Sequence, residues 1–561
     1  TAPTASWTGH SFSGWNPPLS AGSTFPAENA EYTAQWDLNS YTVTYNVVGG
    51  NGKIQAGSDT PTTNGTVSVT YGGNVTFTAV PETGYEVEVK EWTVDGNVVS
   101  GNTSTSYELS AVTEAKTVTV KFKKKSYNVT FSVDGGTGGT LKARPEGGSE
   151  TSSSPVSVEH GKKVTFTADP TNTDWEVAEW KKGNVAVNGT NSTYMLSNVT
   201  ADTTVTVKFY QSEIDGTAPM AWRALLNAVS DAPENATIKI NGEIKATIHS
   251  GNNGEIVINK NLTIKGSNKS TDILNAVTLS RIFNVKTGNT LTLENITLKN
   301  GKAPDNPEAG DSKDGGGIYS EGTLTLENTT IEGCSANEKG GGVYNSGVFE
   351  MTGGEIKSNT AQYGGGIYVK DAGATLTMSG GTISANNAVA DSNDSGRGGD
   401  GGGVYIDGAK FTLKLGTTIS NNAADKDGGG VTVFGGVFTM EGGDIQWNTV
   451  TGTSTVQNSG HGGGVDIVAA TMNMKGGEIK NNKARNGGGI FVNDGCILTL
   501  DKYTGGGTPQ GVRIIGNEAG RAGGVRANNS TVTMTGCIIR GNKSTDTLTN
   551  LSNAGGGGGV D

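Results

Sequence analysis

The sequence predicts an all-β protein with small antiparallel β modules, then a short capping helix, and then a right-handed parallel β-helix. Three observations predict this architecture. Glycine accounts for 88 of the 561 residues, about twice its usual ~7% share. From about residue 237 onward the chain is repetitive, and from residue 315 the phrase GGG(V/I) recurs at intervals of 24 to 37 residues. Between the phrases, short runs of Val, Ile, Leu and Thr alternate with turn residues, which is typical of β-strands.

The GGG phrase predicts the corners of a solenoid. Three short strands per repeat cannot bury an apolar face alone, but stacked coils share one continuous core. Glycine permits positive φ and close stacking, whereas a P-loop would need a following Lys-Ser/Thr and a helix. We expect the β-helix to continue past the last residue, because the final phrase is interrupted. The branched residue of the phrase falls at Ile318, Val343, Ile367, Val404, Val431, Val465, Ile490, Val525 (after AGG) and Val560.

A row of asparagines precedes the glycine corner. Asn tolerates left-handed geometry and can hydrogen-bond to the amide of the next coil, so the row predicts a stabilising ladder. Cys334 occupies the same slot one coil earlier, where we expect a packed thiol. The row is Asn359, Asn386, Asn422, Asn448, Asn482, Asn517 and Asn542.

The first half divides into smaller units. The aromatic residues Trp7, Phe12, Trp15, Tyr32 and Trp36 are expected to form the core of the first unit. Two longer copies follow, about 87 residues apart, whose alternating strands predict antiparallel sheets with one buried face. Next, AWRALLNAV spaces Trp222, Leu225, Leu226 and Val229 as a helix that caps the first coil. The predicted domains are 1–37, 38–124, 125–210, 211–236 (the capping helix) and 237–561 (the β-helix).

Several of these motifs resemble known families. F-x-GW followed by A-x-W in residues 1–37 resembles the Listeria–Bacteroides repeat, with its first strand missing. The two longer copies resemble the divergent form of the internalin B-repeat, and such modules usually act as spacers or weak binding units on bacterial surface proteins. N-x-A before GG-x-(I/V) resembles the repeats of polymorphic outer-membrane proteins, which are adhesins with a β-helical passenger. Here GGG replaces the GGA of that family, and Ile replaces its Phe.

Composition narrows the function classes. The 42 basic and 54 acidic residues leave a net charge of −12, which disfavours nucleic acid and anionic lipid as partners. No run approaches the ~18 apolar residues of a membrane span, so we expect no membrane insertion by this segment. The three cysteines, Cys334, Cys496 and Cys537, form no disulfide framework or metal motif.

The candidate binding residues lie beside the glycine corner. Alternation places the residue after each Val or Ile outward, which gives an aromatic row suited to stacking on sugars or a protein partner, or to stacking on itself. Long insertions occur at this corner, at residues 302–314, 388–400, 449–461 and from 543 onward. Loops gathered on one side of a scaffold often bind ligands, although solvated insertions would give the same pattern. The candidate residues are Tyr319, Tyr344, Tyr368, Tyr405 and Phe491.

Metal binding and catalysis are two further possibilities that the sequence raises. Acids in the long corners could gather oxygen ligands for Ca²⁺, but their spacing fits no known calcium repeat; we expect no obligatory cofactor. Asp466 near His461 is the acid–base pair we would test for a β-helical polysaccharide lyase or glycoside hydrolase. The candidate calcium ligands are Asp305, Asp311, Asp314, Asp391, Asp394 and Asp400.

The sequence therefore favours a non-enzymatic, adhesin-like bacterial cell-surface or secreted protein. Its modules would present the β-helix to a host protein, a matrix protein or a glycan. We expect tethering to the envelope through regions outside this chain. Two alternatives remain open: a purely structural stalk or filament segment, and the β-helical polysaccharide-degrading enzyme.

Overall fold

The structure, a computed structural model, describes residues 6–20, 22, 30–88, 91–102, 104–305, 312–391, 397–452, 459–501, 511–545 and 558–559. The chain divides into two compact units. The first comprises residues 1–169 and 179–207, and it contains most of the small β modules. The second comprises residues 170–178 and 208–561, and it contains the helix and the β-helix.

The first 37 residues contain a two-stranded antiparallel sheet of His10–Asn16 and Thr33–Leu38. The Phe12 ring centroid lies 5.3 Å from that of Trp15 and 5.6 Å from that of Trp36. The Trp7 side chain is 55% exposed and that of Phe12 is 44% exposed. The expectation of an aromatic core is therefore wrong for these two rings. A two-stranded sheet has no second layer of its own against which to bury them.

The first of the two longer modules has two sheets and a buried core. One sheet has the strand order Ser106–Leu109, Val75–Pro81, Gly52–Ala56. The other has the order Asn64–Thr70, Ser40–Val48, Lys116–Lys124, Thr93–Val94, Asn97–Val98, with Tyr85–Val87 also paired to Lys116–Lys124. Strand Lys116–Lys124 runs parallel to Ser40–Val48. The other strand pairs of this module are antiparallel, which confirms the prediction of antiparallel sheets. The long connection between Ser40–Val48 and Lys116–Lys124 makes the parallel direction of their pairing possible.

The second longer module repeats this design. One sheet has the order Val156–Glu159, Ser126–Asp134, Thr203–Gln211, Trp175–Lys182, Val185–Val187, and the other the order Gly139–Pro145, Val164–Pro170, Thr193–Leu196. Trp92 and Trp180, which the sequence match makes equivalent, are both fully buried. Trp92 Nε1 donates to the Ser104 carbonyl at 3.0 Å, and Trp180 Nε1 donates to that of Asn191 at 2.6 Å. The two modules therefore bury equivalent indoles and satisfy each with a loop carbonyl.

Helix α1 (Ala221–Asp231), the single helix of the described residues, packs on the first coils of the β-helix. It buries Trp222, Leu225 and Val229, and Trp222 Nε1 donates to the Gly254 carbonyl at 3.0 Å. Strand Glu213–Asp215 precedes the helix and pairs in parallel with Ala236–Asn241. The parallel pairing therefore begins upstream of residue 237, where the sequence places its start.

The β-helix consists of stacked coils whose strands form four parallel sheets. Sheet 1 contains Glu213–Asp215, Ala236–Asn241, Leu262–Gly266, Thr290–Glu294, Thr323–Glu327, Val348–Met351, Thr375–Met378, Lys410–Leu413, Val437–Met440, Thr471–Met474, Ile497–Asp501 and Thr531–Thr535. Sheet 2 contains Glu243–Lys245, Ile273–Asn275, Thr297–Lys299, Thr329–Glu332, Gly354–Lys357, Gly381–Ser384, Thr417–Ser420, Asp444–Gln446, Glu478–Lys480, Arg513–Ile515 and Ile538–Arg540.

Sheets 3 and 4 complete the coil. Sheet 3, which follows the glycine phrase from Ile318 onward, contains Ile256–Ile258, Phe283–Val285, Ile318–Ser320, Val343–Asn345, Ile367–Lys370, Val404–Asp407, Val431–Phe434, Val465–Val468, Ile490–Val492 and Val525–Ala527. Sheet 4 contains Thr360–Ala361, Asn387–Ala388, Ala423–Ala424, Thr449–Val450, Lys483–Asn486, Glu518–Arg521 and Lys543–Ser544. The expected three strands per coil thus become four from Thr360 onward, because the residues after the Asn row also pair between coils.

The predicted asparagine ladder is present and buried. Asn448 Nδ2 donates to Asn482 Oδ1 at 3.0 Å and to the Ile419 carbonyl at 3.0 Å. Its Oδ1 accepts from the backbone N and from Nδ2 of Asn422, at 3.0 and 2.9 Å. The buried thiol of Cys334 ends the row, where the Gly301 N–H donates to its Sγ at 3.3 Å. Each coil that carries an Asn of this row is therefore hydrogen-bonded to its neighbours through side chains as well as through backbone.

Across the part of the chain that the structure describes, no helix is long and apolar enough to cross a membrane.

Candidate binding face

Two rows of side chains flank the glycine phrase, and together they define the candidate binding face. The parallel, in-register pairing of sheet 3 places equivalent residues of successive coils next to each other, about 4.8 Å apart. The row before the phrase is Asp314, Lys339, Tyr363, Asp400, Asp427, His461, Asn486 and Arg521. The row after it is Tyr319, Tyr344, Tyr368, Tyr405, Thr432, Asp466, Phe491 and Arg526.

Glycine is required between these rows for two reasons. Gly340 has φ +66°, and a Cβ there would lie 2.4 Å from the Val343 carbonyl oxygen. Gly341 faces the next coil, and a Cβ there would lie 2.4 Å from the Gly365 carbonyl oxygen. The phrase therefore turns the chain sharply and lets adjacent coils approach, which brings the two rows side by side.

The four tyrosines form one stacked ladder. The ring centroids of Tyr319 and Tyr344 lie 4.8 Å apart, those of Tyr344 and Tyr368 5.6 Å apart, and those of Tyr368 and Tyr405 5.1 Å apart. The interplanar angles are 5°, 8° and 7°. Rings on in-register parallel strands are held near the coil spacing, so their faces cover one another.

Burial corrects the expectation that the whole aromatic row is exposed. Tyr344 is 6% exposed, Tyr368 3% and Phe491 1%, whereas Tyr319 and Tyr405 are half-buried. The Tyr368 hydroxyl donates to Asp407 Oδ2 at 2.6 Å. Burial raises the pKa of Tyr319 to about 12, with a smaller contribution from Glu321. The ladder therefore offers a ligand little open ring face.

Phe491 lies between two side chains of the same face. Its ring stacks on His461 with centroids 4.0 Å apart and planes 5° apart. The Arg526 Cζ lies 5.9 Å from the Phe491 ring centroid. The ring is therefore enclosed within the face, where it positions its neighbours. It does not provide the open stacking surface that the sequence predicts.

Three carboxyl groups gather in the middle of the face. Burial raises the pKa of Asp400 to about 7, and burial followed by repulsion from Asp427 and Asp400 raises that of Asp466 well above its usual value. Asp466 is 1% exposed, and its Oδ1 has no hydrogen-bond partner among the described residues. His461 Nδ1 lies 3.3 Å from Asp427 Oδ1. The histidine is thus paired with Asp427, which corrects the expected pairing with Asp466.

The corner acids proposed as calcium ligands are separately placed. Asp305 accepts from Lys302 and Asn337, at 2.8 and 2.9 Å. Asp314 Oδ1 accepts from the backbone N of Lys339 at 3.2 Å, and burial raises its pKa. Asp391 Oδ2 accepts from Gln362 at 3.3 Å. Asp311 and Asp394 lie outside the described residues.

The described corner acids are therefore not brought together around a common point. Among the described residues, no three His, Cys, Asp or Glu side chains are placed to hold a metal ion.

At the far end of the face lies a polar groove that the sequence analysis missed. We name it the arginine groove. Its volume is about 510 Å³, and Asp494 is the acidic residue of its described lining. A signal was present in the sequence, because five of the nine arginines fall between residues 485 and 540. Residues that define the groove are Arg485, Arg521, Arg526, Asn486, Asn493 and Asn528.

Comparison with known proteins identifies the modules that precede the β-helix. Residues 41–126 and 133–213 match the family model of the divergent InlB B-repeat domain, which confirms the resemblance of the two longer modules. Among solved structures, the Bacillus anthracis TIE protein is similar over 34% of this chain and 40% of that chain, with 8% identity and a TM-score of 0.20. No curated protein matches the chain. The B-repeat modules indicate a bacterial surface protein with an extracellular or cell-surface location.

Proposed function

We propose that this chain is an adhesin-like binding segment of a bacterial surface protein. The B-repeat modules act as spacers, and the β-helix binds a host-cell, matrix or glycan ligand. The resemblance of the coils to polymorphic outer-membrane proteins is part of this proposal, because those proteins are adhesins with a β-helical passenger. The chain acts without an obligatory cofactor and without catalysis.

The observation that carries the proposal is the position of the long corners. Insertions at 302–314, 388–400 and 449–461 all occur at one step of the coil, before the glycine phrase. The residues at which they end, Asp314, Asp400 and His461, belong to the first row of the binding face. A rigid stack of coils that varies at one edge is a common arrangement for recognition, since the scaffold limits the entropy lost on binding.

The buried tyrosine ladder supports the face as a scaffold. Stacking along the coils holds the backbone of the corners in fixed register. In this proposal the ligand is contacted by the corners and by the polar ends of the rows, while the rings stabilise the surface beneath. Alanine at Tyr344 or Tyr368 would test packing more than binding, because both side chains are buried.

A corner-shortening variant of the full chain tests this function. Residues 389–400 are replaced by Asp-Lys-Asp, the corner found naturally at residues 425–427. Beads coated with the wild-type chain should adhere to host cells or to an immobilised matrix protein or glycan. The variant should adhere at least about tenfold less. Circular dichroism verifies that it keeps its β-structure.

The control variant carries one substitution outside the candidate binding face. Trp447 is an exposed side chain at the turn after a sheet 2 strand, and Trp447→Ser should leave adhesion unchanged. Adhesion no greater than that of beads coated with albumin would overturn the proposal. So would equal adhesion by the corner variant at every ligand tested.

A further inference from the structure

The last coils of the β-helix are basic, in contrast to the chain as a whole. Residues 483–543 contain eight Lys or Arg and three Asp or Glu, whereas the net charge of the chain is −12. A local reversal of charge that is confined to two or three coils concentrates positive potential on one part of the surface. It therefore favours an anionic partner at this position, although the net charge of the whole chain is negative.

Strand register brings the arginines to one side of the coil. Arg521 pairs with Asn486, and Arg526 pairs with Phe491, each one coil further along. Arg485 directly precedes Asn486, and its backbone N donates to the Gly460 carbonyl at 2.9 Å. The three arginines thus line one groove from two adjacent coils.

The groove is built on fixed neighbours. Arg526 donates from Nη1 to Asn486 Oδ1 and lies beside the Phe491 ring, which is stacked on His461. Burial lowers the pKa of His461, attraction to Asp427 opposes this, and the charges of Arg526 and Arg485 lower it further. The histidine is therefore neutral near pH 7, and the positive charge of the groove comes from its arginines.

The geometry points to an acidic polysaccharide as the ligand of the arginine groove, bound through its carboxylate or sulfate groups. This inference rests on the proposed function and specifies the ligand of the same face. Guanidinium forks match carboxylate and sulfate oxygens in a bidentate geometry. The amides of Asn486, Asn493 and Asn528 line the same groove and can both donate to and accept from sugar hydroxyls.

The polar lining of the groove favours an acidic polysaccharide over an acidic peptide or a nucleic acid. Phe491 is the large apolar residue of the described lining and is 1% exposed, so the groove lacks the open anchor pockets that peptides fill. Single-stranded nucleic acid would require exposed rings on which bases stack. A hydroxyl-rich chain with spaced negative charges needs neither and can lie along successive coils.

Binding of the full chain to defined probes tests the inference. Heparin fragments and polygalacturonate carry sulfate and carboxylate, respectively, and dextran is the neutral comparison. We expect at least one acidic probe to bind, with affinity that falls as salt rises, and dextran not to bind. Arg521→Gln and Arg526→Gln should each weaken binding about tenfold or more, with unchanged thermal unfolding.

The matched control is Arg540→Gln, which makes the same charge change on an exposed residue of sheet 2. An equal loss of affinity in this variant would overturn the inference, because it would reveal a long-range charge effect. Competition by poly-glutamate as strong as that by heparin would overturn the polysaccharide class. Displacement by millimolar inorganic sulfate alone would reduce the groove to a simple anion site and would also overturn it.

The two proposals fail in different ways. Adhesion to matrix protein or cells without binding of acidic probes would leave the adhesin function in place and remove this ligand. Binding of an acidic probe without adhesion to any surface would leave the ligand in place and remove the adhesin function.

Discussion

Replacement of Asn448 by alanine tests whether the buried ladder holds the coils together. Asn448 lies in the middle of the row and is fully buried. Its amide takes part in four side-chain hydrogen bonds, at 3.0, 3.0, 3.0 and 2.9 Å, to three other residues. Asn448→Ala removes all four and leaves the N–H groups of Asn422 buried without these partners.

The expected cost follows from those contacts. A buried hydrogen bond contributes a net ~1 kcal/mol to folding, so the loss of four should destabilise the β-helix by about 4 kcal/mol. Orphaned donors in a buried position add to this cost, while relaxation of neighbouring coils reduces it. In a stacked array the effect concentrates near the altered coil, since each coil contacts mainly its neighbours.

Hydrogen exchange measured by mass spectrometry can locate this effect. Peptides that contain Asn422 and Asn482 should exchange about a hundredfold faster or more in Asn448→Ala, because ~1.4 kcal/mol corresponds to a factor of ten. Urea unfolding followed by circular dichroism gives the global change. The matched control is Asn473→Ala, at a half-buried outward position of sheet 1.

The control should change the free energy of unfolding by less than about 0.5 kcal/mol, as surface substitutions usually do. If Asn448→Ala unfolds at the same urea concentration as Asn473→Ala, with unchanged exchange in both peptides, the ladder does not stabilise the coils as argued.

Three further predictions concern the same coils. Cys334→Asn should extend the ladder and stabilise the protein by about 1 kcal/mol, and a lower urea midpoint would contradict this. Gly341→Ala should lower the melting temperature, at a cost of about 1–3 kcal/mol, because its Cβ would meet the Gly365 carbonyl at 2.4 Å; an unchanged melting temperature would count against the close approach. Burial raises the pKa of Asp400 to about 7, above the ~3.9 of an unfolded chain, so stability should fall by up to about 4 kcal/mol as pH rises from 4 to 7. Asp400→Asn should flatten that pH dependence of the urea midpoint, and a slope equal to that of the wild type would refute the assignment.

Much of the scaffold could be predicted from local sequence. The GGG(V/I) phrase and the spaced Asn residues repeat because every coil meets the same steric and hydrogen-bonding requirements. The contacts between coils can therefore be inferred from the repeat, since the neighbour of each residue is its counterpart one coil away. The ladder through Asn448 could be inferred for this reason, and the helix that contains Trp222 could be inferred from the helical spacing of its own apolar residues.

The candidate site was predictable only in part. Alternation correctly places Tyr344 and Phe491 on the side of sheet 3 opposite the core, but it carries no information about what covers that side. Burial there depends on stacking along the coils and on His461 and Arg526, which come from other coils. The exposure of a ring is therefore decided by neighbours far away in sequence.

The sequence by itself determined the β-helical repeat, the positions of its corners, the Asn row and the two B-repeat modules, because each depends on residues close in the chain or repeated at equivalent positions. The tertiary structure alone decided that the tyrosines stack into a mostly buried ladder and that Asp466 lies beside Asp427 and Asp400. It also decided that arginines from adjacent coils share one groove. These facts depend on which residues of successive coils become neighbours. The corners differ in length from coil to coil, so the separation of such residues along the chain also differs.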